Sequence, residues 1–177
     1  MSKLVNVTSL TVDGLVDVSE WFVPGGAHSD VQLDWVRQAA AMVMGRKTYE
    51  GLAGYWPAET GDWADRLNEM PKYVASRTLE EPLEWNSSLL EGDLALSVPK
   101  LKDETDGELM LVGCGELARD LIRLGLVDEL AFWVHPAVWG PGTRPYEGEA
   151  VRLELLGAEA YDSGVVHLRY RPSVATP

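Results

Sequence analysis

Leu109-Met110-Leu111-Val112 is an unbroken apolar run, followed at once by Gly113-Cys114-Gly115 and then by Leu117, Leu121, Ile122 and Leu124 at helical spacing. An apolar run without alternation suits a strand covered on both faces, the kind found inside a parallel sheet. The glycines let the backbone turn sharply and come close to a neighbour or a ligand. A helix that opens from such a turn presents unpaired N–H groups and the positive end of its dipole, a setting suited to phosphate. The same grammar occurs earlier. Ala41-Met42-Val43-Met44 leads through Gly45 into Arg46-Lys47-Thr48-Tyr49-Glu50, and Lys72-Tyr73-Val74-Ala75-Ser76 leads into Arg77-Thr78.

The remaining segments fit around these units. Leu4–Val12 predicts a first strand, ended by Asp13-Gly14. Residues 13–28 predict a long loop, a length that in compact domains is often functional. Ser29-Asp30 predicts a helix start, with Val31, Leu33, Trp35, Val36, Ala39 and Ala40 on one face. Residues 51–63 form an excursion and 62–70 a short helix. Leu94-Ala95-Leu96-Ser97 predicts a weaker strand and 99–105 a charged helix. Asp128–His135 predicts a strong strand, and 151–161 with 165–170 a terminal hairpin around Asp162-Ser163-Gly164. Alternation of strands and helices with a final hairpin predicts an α/β fold: a mostly parallel sheet, helices on both faces and an antiparallel edge. One domain is expected over 1–171, with 172–177 as a frayed tail.

Charge and cysteine content narrow the function. A formal net charge of −13 over 177 residues argues against a general nucleic-acid or anionic-membrane surface. A single cysteine, Cys114, excludes an intrachain disulfide framework and a cysteine-based zinc site. The N-terminus lacks a signal-peptide pattern, and no apolar run reaches the roughly 20 residues of a membrane helix. A cytoplasmic protein is expected, without nucleic-acid or membrane partners. No metal-ligand pattern, nucleophile elbow or P-loop is present.

Ligands of open α/β sheets bind at the carboxyl ends of the strands. Gly45-Arg46-Lys47-Thr48, Ser76-Arg77-Thr78 and Gly113-Cys114-Gly115 all fall there, and their coincidence says more than any one alone. Gly113-x-Gly115-x-x-Ala118 matches a dinucleotide fingerprint in form, but it lies late in the chain and lacks the usual context. A tight turn without a ligand is the plain alternative, and Glu116 would repel a phosphate unless it points away. Cations at the helix start of Arg46-Lys47 oppose the dipole, which favours an anionic partner over a merely solvated turn. A guanidinium with two hydroxyls, at Ser76-Arg77-Thr78, suits a phosphate monoester such as the 2′-phosphate that separates NADP from NAD. Cys114 and His135 read first as packed residues. Trp21 and Phe22 either tuck under the core or form a substrate wall. Asp30 is a candidate active-site acid or a simple helix-start charge; Asp13 and Asp17 are weaker candidates.

Val43–Glu50, Lys72–Thr78 and Leu111–Leu117 together resemble the dihydrofolate reductase superfamily. Leu126–Leu130 and His135–Gly142 are more similar to the branch containing the reductase domain of riboflavin-biosynthesis proteins. The resemblance runs in order from residue 4 to about 170. It implies a dihydrofolate-reductase-like fold and NADPH as cofactor. Arg46, Lys47 and Thr48, with Gly45 before them, would hold the pyrophosphate side. Ser76 and Arg77, followed by Thr78, would face the 2′-phosphate. Gly113, Cys114, Gly115, Glu116 and Leu117 would supply the turn toward pyrophosphate and nicotinamide ribose. Leu10–Gly14 would flank the nicotinamide. The same branch implies a homodimer.

Departures restrict the substrate. The arginine that pairs with the folate glutamyl group is missing from Glu69-Met70-Pro71-Lys72, a substrate-site threonine is replaced by Val134, and Cys114 stands where the folate enzymes have glycine. The helix acid falls near Asp30 only with a shift. The expectation is therefore an NADPH-dependent reductase acting on a small polar heterocycle, pterin-like or a ribosylated pyrimidine, and not a true dihydrofolate reductase or a complete bifunctional riboflavin enzyme. A protein that keeps the fold and binds NADPH without turnover is the alternative.

Overall fold

The computed structural model describes residues 1–148 and 150–173. Its elements are β1 (Leu4–Thr11), α1 (Ala27–Gln38), β2 (Ala41–Gly45), α2 (Arg46–Ala53), a single 3-10 turn (Trp56–Ala58), α3 (Asp62–Glu69), β3 (Lys72–Ala75), β4 (Ser87–Leu89), α4 (Leu94–Glu104), β5 (Leu109–Val112), α5 (Glu116–Arg123), β6 (Glu129–His135), β7 (Arg152–Ala160) and β8 (Val166–Ser173). They build one eight-stranded sheet in the order β4-β3-β2-β5-β1-β6-β8-β7. The first six strands in that order are parallel, while β8 runs antiparallel to β6 and β7 antiparallel to β8.

Two apolar layers sandwich the sheet. On one face Leu4, Val43, Leu109, Leu111 and Leu130 pack with Val98 and Leu101 of α4 and with Ala118, Leu121 and Ile122 of α5. On the other, Met42, Met44, Val74 and Met110 pack with Val36 of α1, Tyr49 of α2 and Leu67 of α3. This double cover is what the unbroken apolar runs predicted for β2 and β5. The chain leaves β1 toward α1 on one face and β5 toward α5 on the other. A crevice therefore opens between the carboxyl ends of β1 and β5, where strand order reverses.

Five local readings change. Leu94-Ala95-Leu96-Ser97 is not a strand but the first turn of α4. Asp93 caps it, accepting Ala95 N–H at 2.9 Å, and Leu94, Val98 and Leu101 supply a helical stripe that outweighs the short two-residue alternation. Pro99 lies inside this helix instead of starting it. The edge strand β4 carried no pattern to read, because Ser87-Ser88-Leu89 has little apolar content. The segment is tied in by backbone bonds at its ends, Lys72 N–H to Asn86 C=O and Leu90 N–H to Val74 C=O. Helix α1 starts at Ala27, after Gly26 in a left-handed conformation (φ 83°), so Asp30 sits within its first turn. Finally, β8 runs to Ser173, past the expected hairpin end; 174–177 of the expected tail lie outside the described residues.

Among the described residues no helix is long and apolar enough to cross a membrane, and no cluster of His, Cys, Asp and Glu could hold a metal.

Candidate active site

The carboxyl ends of β2 and β5 are brought together by their glycines. Gly113 holds φ 97°, and a Cβ there would lie 2.7 Å from Thr48 Oγ1, so the α2 and β5 turns touch at a point that only glycine permits. A Cβ on Gly45 would lie 3.7 Å from Cβ of Leu117. The starts of α2 and α5 are thus neighbours. Their cap residues, Gly45 and Gly115, supply no side-chain hydrogen bond, which leaves the first-turn N–H groups facing outward. Arg46 and Lys47 are exposed at this edge, and Arg46 Nη1 lies 3.6 Å from Glu50 on its own helix.

At the end of β3, Ser76 Oγ accepts N–H bonds from Thr78 (3.1 Å) and Leu79 (3.0 Å), closing a tight turn that projects Arg77. Arg77 Nη2 lies 3.6 Å from Glu116 Oε1, both side chains being strongly exposed. The pair reaches from β3 to the start of α5 across the end of β2. Glu116 therefore faces a cation, and so wide an exposure makes the pair weak.

The β5 turn is supported from beneath by residues that sequence patterning passed over. Asn6, fully buried in the middle of β1, donates through Nδ2 to the carbonyls of Leu111 and Gly113, each at 2.9 Å. Its Oδ1 accepts from the Tyr146 hydroxyl, which also lies 3.3 Å from Thr8 Oγ1. Tyr146 N–H in turn bonds the carbonyl of Cys114 at 3.0 Å. Burial pushes the Tyr146 hydroxyl and the Cys114 thiol upward, so both stay neutral near pH 7. A polar Asn between Val5 and Val7 was the one available signal for this network.

On the β1 side, two loops are stitched together. The Asp13 carboxylate accepts from Thr11 Oγ1 (2.6 Å), Gly140 N–H (2.8 Å) and Trp139 N–H (3.1 Å). The Thr11 hydroxyl and these amides hold its carboxyl down at about 2. Asp17 accepts from Thr143 N–H, and Arg144 donates to the carbonyl of Asp13. Gly14 (φ 83°) lies beside the Arg144 guanidinium. Asp13 is thus a loop fastener whose carboxylate takes three donors, and Asp17 ties the same two loops through Thr143.

Trp21 is buried and Phe22 half-buried; both rings pack on His135 at the end of β6, with centroids 5.2 and 4.6 Å away. Asp30, by contrast, is exposed on α1; the buried residue of that first turn is His28. Two recesses, of about 330 and 290 Å³, open at the amino ends of the strands around Lys3-Glu108 and Lys3-Arg171, away from this cleft.

Sheet order and the crevice at β1 and β5 define an α/β protein with a dihydrofolate-reductase-like fold. The described family "RibD C-terminal domain" matches residues 3–167, and the chain belongs to that reductase-like family. It is 27% identical over 144 residues to the uncharacterised protein YyaP of Bacillus subtilis (strain 168), covering 77% of this chain and 76% of that one. Among solved structures it is similar to a protein of Shewanella sp. PV-4 assigned provisionally to riboflavin biosynthesis (TM-score 0.77, 19% identity, 97% of this chain and 99% of that one). It also resembles the diaminohydroxyphosphoribosylaminopyrimidine deaminase/5-amino-6-(5-phosphoribosylamino)uracil reductase of Thermotoga maritima (TM-score 0.66, 12% identity), covering 97% of this chain but 57% of that longer one. A third neighbour is the Enterococcus faecalis dihydrofolate reductase complexed with NADP(H) (TM-score 0.62, 14% identity, 97% and 96% covered).

Proposed function

We propose that the protein is an NADPH-dependent reductase that delivers a hydride to a small polar heterocycle, pterin-like or a ribosylated pyrimidine. The observation that carries this reading is the contact of two uncapped helix starts across Gly113 and Thr48, flanked by Arg46, Lys47 and Arg77. A close backbone cradle with cations at its rim fits a pyrophosphate. Arg77 with the Ser76–Thr78 turn fits the 2′-phosphate. Bound there, NADPH would supply the hydride. The backbone of Gly113–Leu117 would hold its central part. The fastened loops at Asp13-Gly14 and 137–144 would form the wall beside the ring, keeping water away from the transfer. Asp30 is proposed as the acid, working from an exposed position through solvent. Family membership supports reduction as the class of activity. We also propose a cytoplasmic homodimer, which light scattering tests.

Titration of the purified protein with NADPH and NADH tests the cofactor. Absence of NADPH binding at tens of micromolar would remove the proposal. The exposure of Asp30 favours a second reading, a protein that binds NADPH without turnover. Tight NADPH binding, no oxidation across a broad panel of heterocycles and no effect of Asp30→Asn on any property would select it.

A further inference from the structure

Two peptide groups of the β5 turn are pinned by their carbonyls. Asn6 stands in register with Leu111 on the neighbouring strand, and its Nδ2 donates to the carbonyls of Leu111 and Gly113, each at 2.9 Å. Both partners are acceptors, so the side-chain amide faces them with its nitrogen, and its oxygen is left to take the Tyr146 hydroxyl. The next carbonyl, that of Cys114, accepts the Tyr146 N–H at 3.0 Å. In a trans peptide the N–H points opposite to the C=O, and the peptides Gly113-Cys114 and Cys114-Gly115 are both trans. The Cys114 N–H therefore points away from Asn6, and the Gly115 N–H away from the Tyr146 backbone. Neither N–H has an acceptor among the described residues, although Cys114 is half-buried.

Tyr146 is held in place against its own backbone preference. It sits at φ 51°, in the left-handed region that a bulky residue rarely enters and keeps only where its surroundings over-determine it. They do so here. Its ring packs edge-on to Phe132 with centroids 6.1 Å apart, and its hydroxyl reaches Asn6 and lies 3.3 Å from Thr8 Oγ1. The chain just before it is fastened to the end of β1. Asp13 takes the N–H groups of Trp139 and Gly140, Asp17 that of Thr143, and Arg144 donates to the Asp13 carbonyl. The segment after β6 is thus a brace that runs from the end of β1 to the β5 turn.

We propose that Asn6 and Tyr146 are positioning residues for the cofactor: by holding the carbonyls of Gly113 and Cys114 they aim the N–H groups of Cys114 and Gly115 at the pyrophosphate of NADPH. The identity of the ligand rests on the NADPH reading; the orientation of the two amides does not. Asn6 is fully buried, so it acts through the turn and not on the ligand. Successive outward N–H groups beside a helix start suit an anion. The effect is confined to the part of the dinucleotide that the turn would hold. Ser76 and Arg77, at the end of β3, are separated from β5 by β2, and a ligand held there alone gains nothing from the brace.

Amide exchange of the unliganded wild type, followed by NMR, is the first test. The Cys114 and Gly115 amides should exchange near the unprotected rate, and the Asn6 side-chain amide roughly a hundred-fold more slowly than a free asparagine. Protected Cys114 and Gly115 amides, or a freely exchanging Asn6, overturn the inference, and this holds even if no variant folds. NADPH should then slow both backbone amides by about ten-fold or more. The second test titrates Asn6→Ala and Tyr146→Phe with NADPH and with adenosine 2′-monophosphate, which lacks the pyrophosphate. Asn6→Ala should weaken NADPH by about ten-fold or more, and Tyr146→Phe, which keeps the backbone bond to Cys114, by about three-fold or more. The monophosphate should stay within about two-fold of wild type in both. Equal losses for the two ligands mark a merely structural role and overturn the inference, as does unchanged NADPH binding. If the amides exchange as expected while the wild type binds no NADPH, the cofactor reading falls and the orientation of the turn stands.

Discussion

Lowering the pH from 7 to 5 should cost this fold about 2 kcal/mol through His135 alone. Burial, with a smaller contribution from His28, lowers its imidazole from 6.5 to about 4. The geometry agrees, because a proton added at Nδ1 would face the Val23 N–H, donor against donor. Between those two values the unfolded chain binds a proton that the folded chain refuses. Stability is therefore full above about 6.5, falls as the pH drops through the window, and levels off below about 4. At pH 5 the linkage ratio is about thirty-fold, or about 2 kcal/mol. Burial also lowers His167, adding loss of the same sign, while Asp13 titrates in a separate, more acidic limb. Comparing the wild type with His135→Phe isolates the one ring. Urea unfolding at pH 7, 6 and 5 should show the wild type losing about 2 kcal/mol more than the variant, whatever the variant's own stability. Parallel pH profiles would refute the reasoning.

Other consequences follow from the β5 turn and its rim. Gly113→Ala forces a Cβ to 2.7 Å from Thr48 Oγ1 at φ 97°; it should destabilise by about 1–3 kcal/mol in urea unfolding and weaken NADPH at least ten-fold by fluorescence titration. Asn6→Ala removes two donated bonds and leaves Tyr146 with Thr8 alone; a loss of about 2–4 kcal/mol is expected, with an unchanged unfolding midpoint as the contrary result. Arg77→Ala should leave stability within about 0.5 kcal/mol, since its pairing with Glu116 is exposed, yet reduce the ratio of NADPH to NADH affinity several-fold; an unchanged ratio takes Arg77 out of the site.

The central sheet was legible because burial on both faces leaves a mark within a few residues. Ala41–Met44 and Leu109–Leu111 are buried along their length, and nothing but a covered strand tolerates that pattern at that brevity. The elements that escaped are those whose cause lies elsewhere. Strand β4 exists because β3 offers it backbone partners, not because Ser87-Ser88-Leu89 demands it. Leu94–Ser97 misled because a four-residue alternation is short enough to be the first turn of a helix, once Asp93 is seen as its cap.

The site divides along the same line, and the division is also electrostatic. Its legible half is made of local strand-end signals: Gly45-Arg46-Lys47, Ser76-Arg77 and Gly113-Cys114-Gly115, with the cations exposed at the rim. The other half is assembled across long stretches of chain, Asn6 with Tyr146, Val23 with His135 and His28 with Ser163, and no window of sequence contains both members of a pair. There burial pushes the Tyr146 hydroxyl up and the His135 imidazole down, so both are neutral near pH 7. In a chain of net charge −13, Arg46, Lys47 and Arg77 are thus gathered at one rim, while the cation at the end of β1, Arg144, is tied to the Asp13 carbonyl. The exposed, charged rim and the interior held by long-range hydrogen bonds are thus built from different kinds of sequence signal.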